Sequence, residues 1–208
     1  MDKKIKNIIF DLGKVLTEIN FENTTKAFST LGNFNASKFI SYQNQSAIFD
    51  DVETGKLSAE QFRAEIRKLF KIFDTDIEID RAWNAMIGKT TIETLELVHS
   101  LRPKYKTFIL SNTNQIHIDC VAKQLQKDYG INSLNDYFDK VYFSHKIGSR
   151  KPEKEAYLYV LNQNKLIPEE TIFIDDKQEN LDGAKVVGIQ TILKTEDVSL
   201  LDILENYL

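Results

Sequence analysis

Asp11, Ser111, Lys151 and the pair Asp175-Asp176 are the residues of this chain whose chemical types could work together. Asp11 directly follows the apolar run Ile8-Ile9-Phe10, and Ser111-Asn112 follow Thr107-Phe108-Ile109-Leu110. Asp175-Asp176 follow Thr171-Ile172-Phe173-Ile174, and Lys151 comes after a further run, Val141-Tyr142-Phe143, within Arg150-Lys151-Pro152-Glu153. If these runs are parallel strands of one sheet, their carboxyl ends share one edge. Three carboxylates in one crevice would repel one another and raise their pKa values unless a cation neutralised them. Oxygen donors without His or Cys suit a hard ion, with Mg²⁺ the first candidate. Together with Lys151 and the Ser111 hydroxyl, that ion would hold a phosphoryl group for in-line attack by Asp11. Phosphoryl transfer asks mainly for such neutralisation and positioning. Singly, each piece has an ordinary reading as a helix cap or a turn. Their order, each behind its own apolar run, points to a shared site.

The elements that must position these groups follow from periodicity. The first strand, ending at Asp11, is apolar on both faces, as a central strand of a parallel sheet would be. Segments with helical spacing separate the later strands: Thr91–Leu101, a helix carrying Ile118, Val121 and Leu125, one carrying Leu181, Ala184 and Val187, and Asp197–Tyr207. Pro152 suits the first turn of a helix opening at Arg150. Gln190–Leu193 reads as a fifth strand. This is an α/β architecture: a Rossmann-like, three-layer parallel sheet with right-handed crossovers.

Between Phe21 and Ile87 the chain reads instead as a four-helix insertion, with helices at Phe21–Leu31, Ser37–Phe49, Ser58–Phe73 and Glu78–Ile87. Ser58 and Gln61 form a capping box, and Phe62, Ile66, Leu69, Phe70 and Phe73 fall on one face. Phe28, Phe39, Phe49, Phe62 and Trp83 are expected in the core of this bundle. Asp50, Asp51 and Glu53 read as a solvated turn ahead of Gly55 rather than as a metal cluster. The expected division is a core of residues 1–16 and 90–208 and a helical unit of 17–89.

Composition bounds the function. The 208 residues are 42% hydrophobic and 28% charged with a net charge of −4, and acids and bases are interspersed. Nothing there suggests a nucleic-acid footprint, and Lys3, Lys4 and Lys6 read as a solvated end. The single cysteine, Cys120, excludes an internal disulfide and is expected as a small core residue on a helix. No stretch approaches the roughly 18 to 20 apolar residues of a membrane span, and no targeting segment is visible. A soluble, cytoplasmic protein with a small-molecule partner is expected.

Four motifs carry a family resemblance over essentially the whole chain. They are Ile9-Phe10-Asp11-Leu12-Gly13-Lys14-Val15-Leu16, Leu110-Ser111-Asn112-Thr113, Gly148-Ser149-Arg150-Lys151-Pro152-Glu153, and Phe173-Ile174-Asp175-Asp176 with Asn180 following. The chain resembles the haloacid dehalogenase-like (HAD) hydrolases, and the insertion has the size and place of that family's helical C1 cap. The resemblance implies a Mg²⁺-dependent phosphatase in which Asp11 is the nucleophile and forms an aspartyl-phosphate. It implies that Asp11, the Gly13 carbonyl and Asp176 bind the metal, with Asp175 a direct or water-mediated ligand. Ser111, the Asn112 backbone and Lys151 would bind phosphate, and Asn180 would support the metal shell.

One position departs from the pattern. Most phosphatases of the family carry an acid/base aspartate where this chain has Gly13. A positioned acid or base is worth roughly 10²- to 10⁴-fold. Its absence matters least for a leaving group that needs little protonation, such as an anomeric oxygen. The motifs are also similar to a bacterial subgroup including the α-glucose-1-phosphate phosphatases, so a hexose 1-phosphate is the specific substrate expected. Alternatively Glu18, or a side chain of the cap, supplies the proton. Two other readings stand beside this one: a metal-independent 2-haloacid dehalogenase, and a catalytically weak ligand-binding or regulatory module.

Overall fold

The computed structural model describes residues 4–32, 36 and 47–207. Five strands form one parallel sheet: β1 (Asn7–Phe10), β2 (Lys106–Ser111), β3 (Lys140–Phe143), β4 (Thr171–Asp175) and β5 (Gln190–Leu193). Their order is β3-β2-β1-β4-β5, so β1 is central, with Ile9 level with Phe108 on one side and Phe173 on the other. Side chains alternate across a strand, which explains why β1 is apolar throughout. Ile8 and Phe10 point into one buried cluster, and Ile9 points into another.

The first cluster is completed by Leu95 and Val98 of α5 (Ile92–Leu101), Val121 and Leu125 of α6 (Gln115–Tyr129), and Ile203 and Leu204 of α10 (Leu200–Tyr207). On the opposite face, Tyr157 and Val160 of α8 (Lys154–Asn164) and Leu181 and Ala184 of α9 (Gln178–Val186) close over Ile9. Fully burying one such Ile or Phe contributes about 1.5–3 kcal/mol. The two faces together fix which way the strand ends point. This is the three-layer α/β arrangement expected from the sequence.

The insertion holds, among the described residues, α1 (Phe21–Gly32), α2 (Ala47–Glu53), α3 (Ala59–Phe70) and α4 (Asp76–Asn84). Phe28, Phe49, Phe62, Ile66, Ile79 and Trp83 form its own buried cluster, with Phe49 stacked on Trp83 at 5.0 Å. The helix expected at Ser37–Phe49 lies mostly outside the described residues, as does Phe39. The Ser58–Gln61 capping box is present. However, Lys71 adopts a left-handed conformation (φ 53°) and stops α3 at Phe70. Phe73 therefore leaves the helical face and is 97% exposed, against expectation. A second box, Thr75 with Glu78, starts α4 at Asp76, earlier than the Glu78 start expected.

Two other expectations need correction. Pro152 is not in the first turn of α8, which begins at Lys154 behind Glu153. The reason is that Asn112 grips the backbone of Lys151 on both sides: its Nδ2 donates to the Lys151 carbonyl and its Oδ1 accepts from the Lys151 amide, both at 2.8 Å. Cys120 lies on α6 as expected but is only half-buried and stands outside the core. No helix among the described residues is long and apolar enough to cross a membrane.

A short antiparallel stem joins the insertion to the sheet. Glu18 N donates to Lys89 O, Gly88 N to Glu18 O and Asn20 N to Met86 O at 2.8–2.9 Å, and Ile19 pairs with Ile87. At the stem's inner end the Thr17 and Thr90 hydroxyls share a hydrogen bond of 2.5 Å. A second attachment is at Gly55, between α2 and α3. It has φ 72°, and a Cβ there would stand 2.3 Å from the carbonyl oxygen of His145 in α7 (Ser144–Ile147). Gly55→Ala therefore meets both backbone strain and a clash with an unyielding atom. It should cost about 1–3 kcal/mol, read from the urea midpoint. An unchanged midpoint would mean that this turn lifts off α7 freely.

Candidate active site

The strand ends deliver the groups as the spacing requires. Asp11 follows β1, and its amide donates to Ile174 O at 2.9 Å, which holds it in line with the sheet. Ser111 is the last residue of β2 and is buried; Asp175 is the last of β4 and fully buried, with Asp176 next. The loop after α7 carries Lys151 back over this edge. Its Nζ donates to Asp11 Oδ1 and to Asp175 Oδ2, each at 2.7 Å, and the residue is 1% exposed. Asp175 is saturated by the protein: Oδ1 also accepts from the Lys177 amide (2.8 Å), and Asn180 Nδ2 reaches both its oxygens at 3.0 Å. Asn180 is held in turn by the Tyr157 hydroxyl, which donates to its carbonyl at 2.6 Å.

The electrostatics follow from this crowding. One carboxylate oxygen each from Asp11, Asp175 and Asp176 falls within a 4.8 Å cluster. Burial, together with the charges of Asp175 and Asp176, pushes the Asp11 carboxyl up to about 7, while Lys151 pulls it down. Burial works to discharge Lys151, but Asp11 and Asp175 outweigh it and hold its ammonium above its ordinary value. One lysine facing three acids leaves negative charge that a further cation would neutralise. The donors are all carboxylate oxygens, which fits a hard divalent ion. Because its oxygens already accept from Lys151, Lys177 and Asn180, Asp175 fits a place beneath the ion better than direct ligation, and Asp11 and Asp176 line the cavity.

Residues 5–188 match the haloacid dehalogenase-like hydrolase family. The chain belongs to that family. This HAD-like hydrolase is 34% identical over 187 residues to the D-ribitol-5-phosphate phosphatase of Bacteroides thetaiotaomicron, a match covering 90% of each chain. It also superposes with a TM-score of 0.91 on the crystal structure of a HAD family enzyme from Bacteroides thetaiotaomicron, an aspartate-to-alanine variant in complex with magnesium and inorganic phosphate. That pair is 32% identical, over 96% of this chain and 98% of the other. A HAD-like family hydrolase of Porphyromonas gingivalis superposes with a TM-score of 0.88 at 30% identity, over 98% of both chains.

This edge of the HAD-like hydrolase opens into a cavity of about 310 Å³. Asp11, Gly13, Ser111, Asn112, Lys151, Asp176 and Asn180 line its floor, so every site residue expected from the sequence meets here except the submerged Asp175. The roof comes from the insertion: Ile19, Phe21, Glu53, Trp83, Met86 and Ile87. Asp50 and Glu53 are thus not a solvated turn. They lie in α2 and grip Arg150, whose Nη1 is 2.5 Å from Asp50 Oδ1 and whose Nη2 is 2.8 Å from Glu53 Oε2. Asp51, on the same helix, is the solvated one of the trio, in a surface pair with Lys56 at 3.5 Å.

Glu18, one of the expected proton sources, is exposed, outside the lining, and turned toward the Lys89 amide. His117 was missed, although it falls two residues into the helix that follows the Ser111-Asn112 turn. It stacks on Trp83 at 4.6 Å and forms part of the wall. Its partners assign the tautomer: Nδ1 accepts from Asn114 Nδ2 and Nε2–H donates to Trp83 O, both at 3.3 Å. Burial pushes its pKa down to about 4, so the ring is neutral at physiological pH. Arg150 and Glu53 were also missed as site residues. Arg150 adjoins Lys151 in sequence, which was a usable signal; Glu53 gave none.

Proposed function

We propose that this hydrolase of phosphate monoesters works with Mg²⁺ on a small sugar or polyol phosphate, through an aspartyl-phosphate on Asp11. The observation that carries the reading is the meeting of Asp11, Asp175, Asp176 and Lys151 at one sheet edge beneath a cavity roofed by the insertion. The magnesium and inorganic phosphate bound by the HAD family enzyme of Bacteroides thetaiotaomicron support it. So does the polyol phosphate named for the similar phosphatase from that organism. Asp11 and Asp176, with the Gly13 carbonyl, would hold the metal, and Asp175 would support it from beneath. Bound there, Mg²⁺ would neutralise phosphoryl oxygens and keep Asp11 ionised despite its burial.

The chain's own residues account for the rest. Lys151 orients one Asp11 oxygen and offers its remaining proton to the phosphoryl group. Ser111 and the Asn112 backbone hold the other oxygens. Asn112 also fixes Lys151 in place through the backbone grip described above. Asp11 attacks phosphorus, the bond to the substrate oxygen breaks, and water then cleaves the acyl phosphate. Asn180 keeps Asp175 oriented. The insertion supplies the substrate-facing roof, and selectivity belongs to it. A metal-independent dehalogenase would leave Asp175 and Asp176 facing Asp11 with only Lys151 to offset them, which weighs against that reading.

A panel of esters, with and without EDTA, tests this: ribitol 5-phosphate, a hexose 1-phosphate, its 6-phosphate isomer and 2-chloropropionate. Phosphate release that stops with EDTA and returns with Mg²⁺ is expected. Chloride release in EDTA would establish the dehalogenase instead, and inertness toward every ester would leave a binding module. Within the panel, faster cleavage of the 6-phosphate than the 1-phosphate would end the argument from Gly13 for an anomeric leaving group.

A further inference from the structure

We infer that Glu53, reaching in from the helical insertion, is the proton donor and acceptor that Gly13 cannot be; this rests on the phosphatase reading above. The space at Gly13 is already taken. A Cβ built there would stand 3.2 Å from Ile19 Cγ1, so the apolar Ile19 side chain occupies the direction in which an acid would project. The proton must come from elsewhere in the cavity. Among the described residues, the acids lining it are Asp11, Asp176, Glu53 and Glu179. Asp11 and Asp176 belong to the carboxylate cluster. Glu179 is exposed on the first turn of α9, whereas Glu53 is buried. His117 lines the same cavity, but both ring nitrogens are engaged by Asn114 and Trp83.

Glu53 has the surroundings of a working acid. Its Oε2 is buried and contacts Arg150 Nη2 at 2.8 Å as an ion pair, yet it forms no hydrogen bond. Held by Arg150 alone among the described residues, this buried oxygen on the cavity wall keeps hydrogen-bonding capacity for a substrate or water oxygen. The charged groups facing it are Asp50 on its own helix, Arg150 and Lys151 on the loop before α8, and Lys177 at the start of α9. Burial raises its pKa above the ordinary glutamate value, and Asp50 adds to this, while Arg150, Lys177 and Lys151 work against it. A carboxyl raised in this way, in a cleft, is suited to proton transfer. Arg150, tied also to Asp50, fixes the carboxyl beside the loop that carries Lys151.

The proton balance closes over the cycle. As Asp11 attacks phosphorus, the bond to the alcohol oxygen breaks and that oxygen takes the Glu53 proton. Water then attacks the phosphorus of the acyl phosphate, and Glu53 carboxylate accepts its proton. Phosphate leaves, Asp11 returns as carboxylate, and Glu53 ends protonated as it began. Esters of ordinary alcohols thereby come within reach despite Gly13.

Single-turnover and steady-state kinetics of full-length Glu53→Gln with Mg²⁺ test this, using ribitol 5-phosphate and p-nitrophenyl phosphate. The variant should lose roughly 10²- to 10⁴-fold in kcat on the alkyl ester. With p-nitrophenyl phosphate, whose leaving group needs no proton, the first turnover should keep within a few-fold of the wild-type rate. A slow steady state with trapped acyl phosphate should follow, because the base for the second step is gone. Asp51→Asn, on the same helix as Glu53, breaks only the surface pair with Lys56 and should leave both esters within a few-fold of wild type. Equal losses on the two esters in the first turnover, or an unchanged alkyl rate, would overturn the role of Glu53. Wild-type protein inert toward both esters would overturn the phosphatase reading and this inference with it.

Discussion

Asp11→Asn abolishes phosphate release from every ester, a fall of at least about 10⁴-fold, of the order seen when a covalent nucleophile is removed. The expected loss is in kcat, and added Mg²⁺ does not restore it. The same variant reports on the site's electrostatics. The Asp11 carboxyl is pushed up from 3.8 to about 7, chiefly by burial. A raised carboxyl binds its proton more tightly folded than unfolded. Its favourable contribution is therefore complete below the unfolded value and lost as pH rises through about 7. In EDTA, wild type should lose stability relative to Asp11→Asn between pH 5 and pH 8, and Mg²⁺ should close the gap at pH 8. Urea midpoints at the two pH values measure this, and parallel curves would show that the carboxyl is not strained by burial.

Lys151→Ala gives the largest expected loss of stability. The buried ammonium touches Asp11 and Asp175 at 2.7 Å each, and Asp175 has no exposure to water. Removing one partner from a buried ion pair costs about 3–5 kcal/mol, because the remaining charge stays desolvated. The wild-type ammonium is held above its ordinary value. Its contribution is thus fully present across neutral pH and fades only in strong alkali, as pH climbs through the raised folded value. Mg²⁺ should recover part of the lost stability but not turnover, since Lys151 also holds the attacking carboxylate. Chemical denaturation with a Mg²⁺ titration decides it. A midpoint equal to that of wild type in EDTA would mean that the lysine does not offset the carboxylates.

The fold and the floor of the site were legible for a common reason. In a parallel sheet, the residue after each apolar run is carried to one edge, so Asp11, Ser111 and Asp175-Asp176 could be placed together from order alone. The roof was not legible, because no periodicity says where an inserted bundle touches its host. Glu53 stands among other acids in a polar stretch. Its burial comes from Gly55 lying against His145 and from Arg150 reaching up, contacts between residues about 90–100 positions apart. Phe73 kept the helical spacing past a stop set by Lys71, a residue type that gives no warning of a left-handed turn. Pro152 was drawn out of the helix by the grip of Asn112 on Lys151, again a distant partner.

The antiparallel stem has a consequence for how such an enzyme changes over generations. The chain enters the insertion past Ile19 and comes back from it at Ile87, its bridge partner, so departure and return lie side by side. Whatever is threaded between them can grow, shrink or be replaced without moving the strand ends, and lengthening a closed loop costs little entropy. The proposed nucleophile Asp11 and the proposed metal-binding acids stay with the sheet, whereas Glu53 and the apolar roof travel with the insert. On the proposed mechanism, a lineage that exchanges the insert would therefore keep its attack on phosphorus and lose its source of protons in the same event. Such an exchange should persist only where the incoming helices bring an acid of their own, or where the new substrate leaves without one.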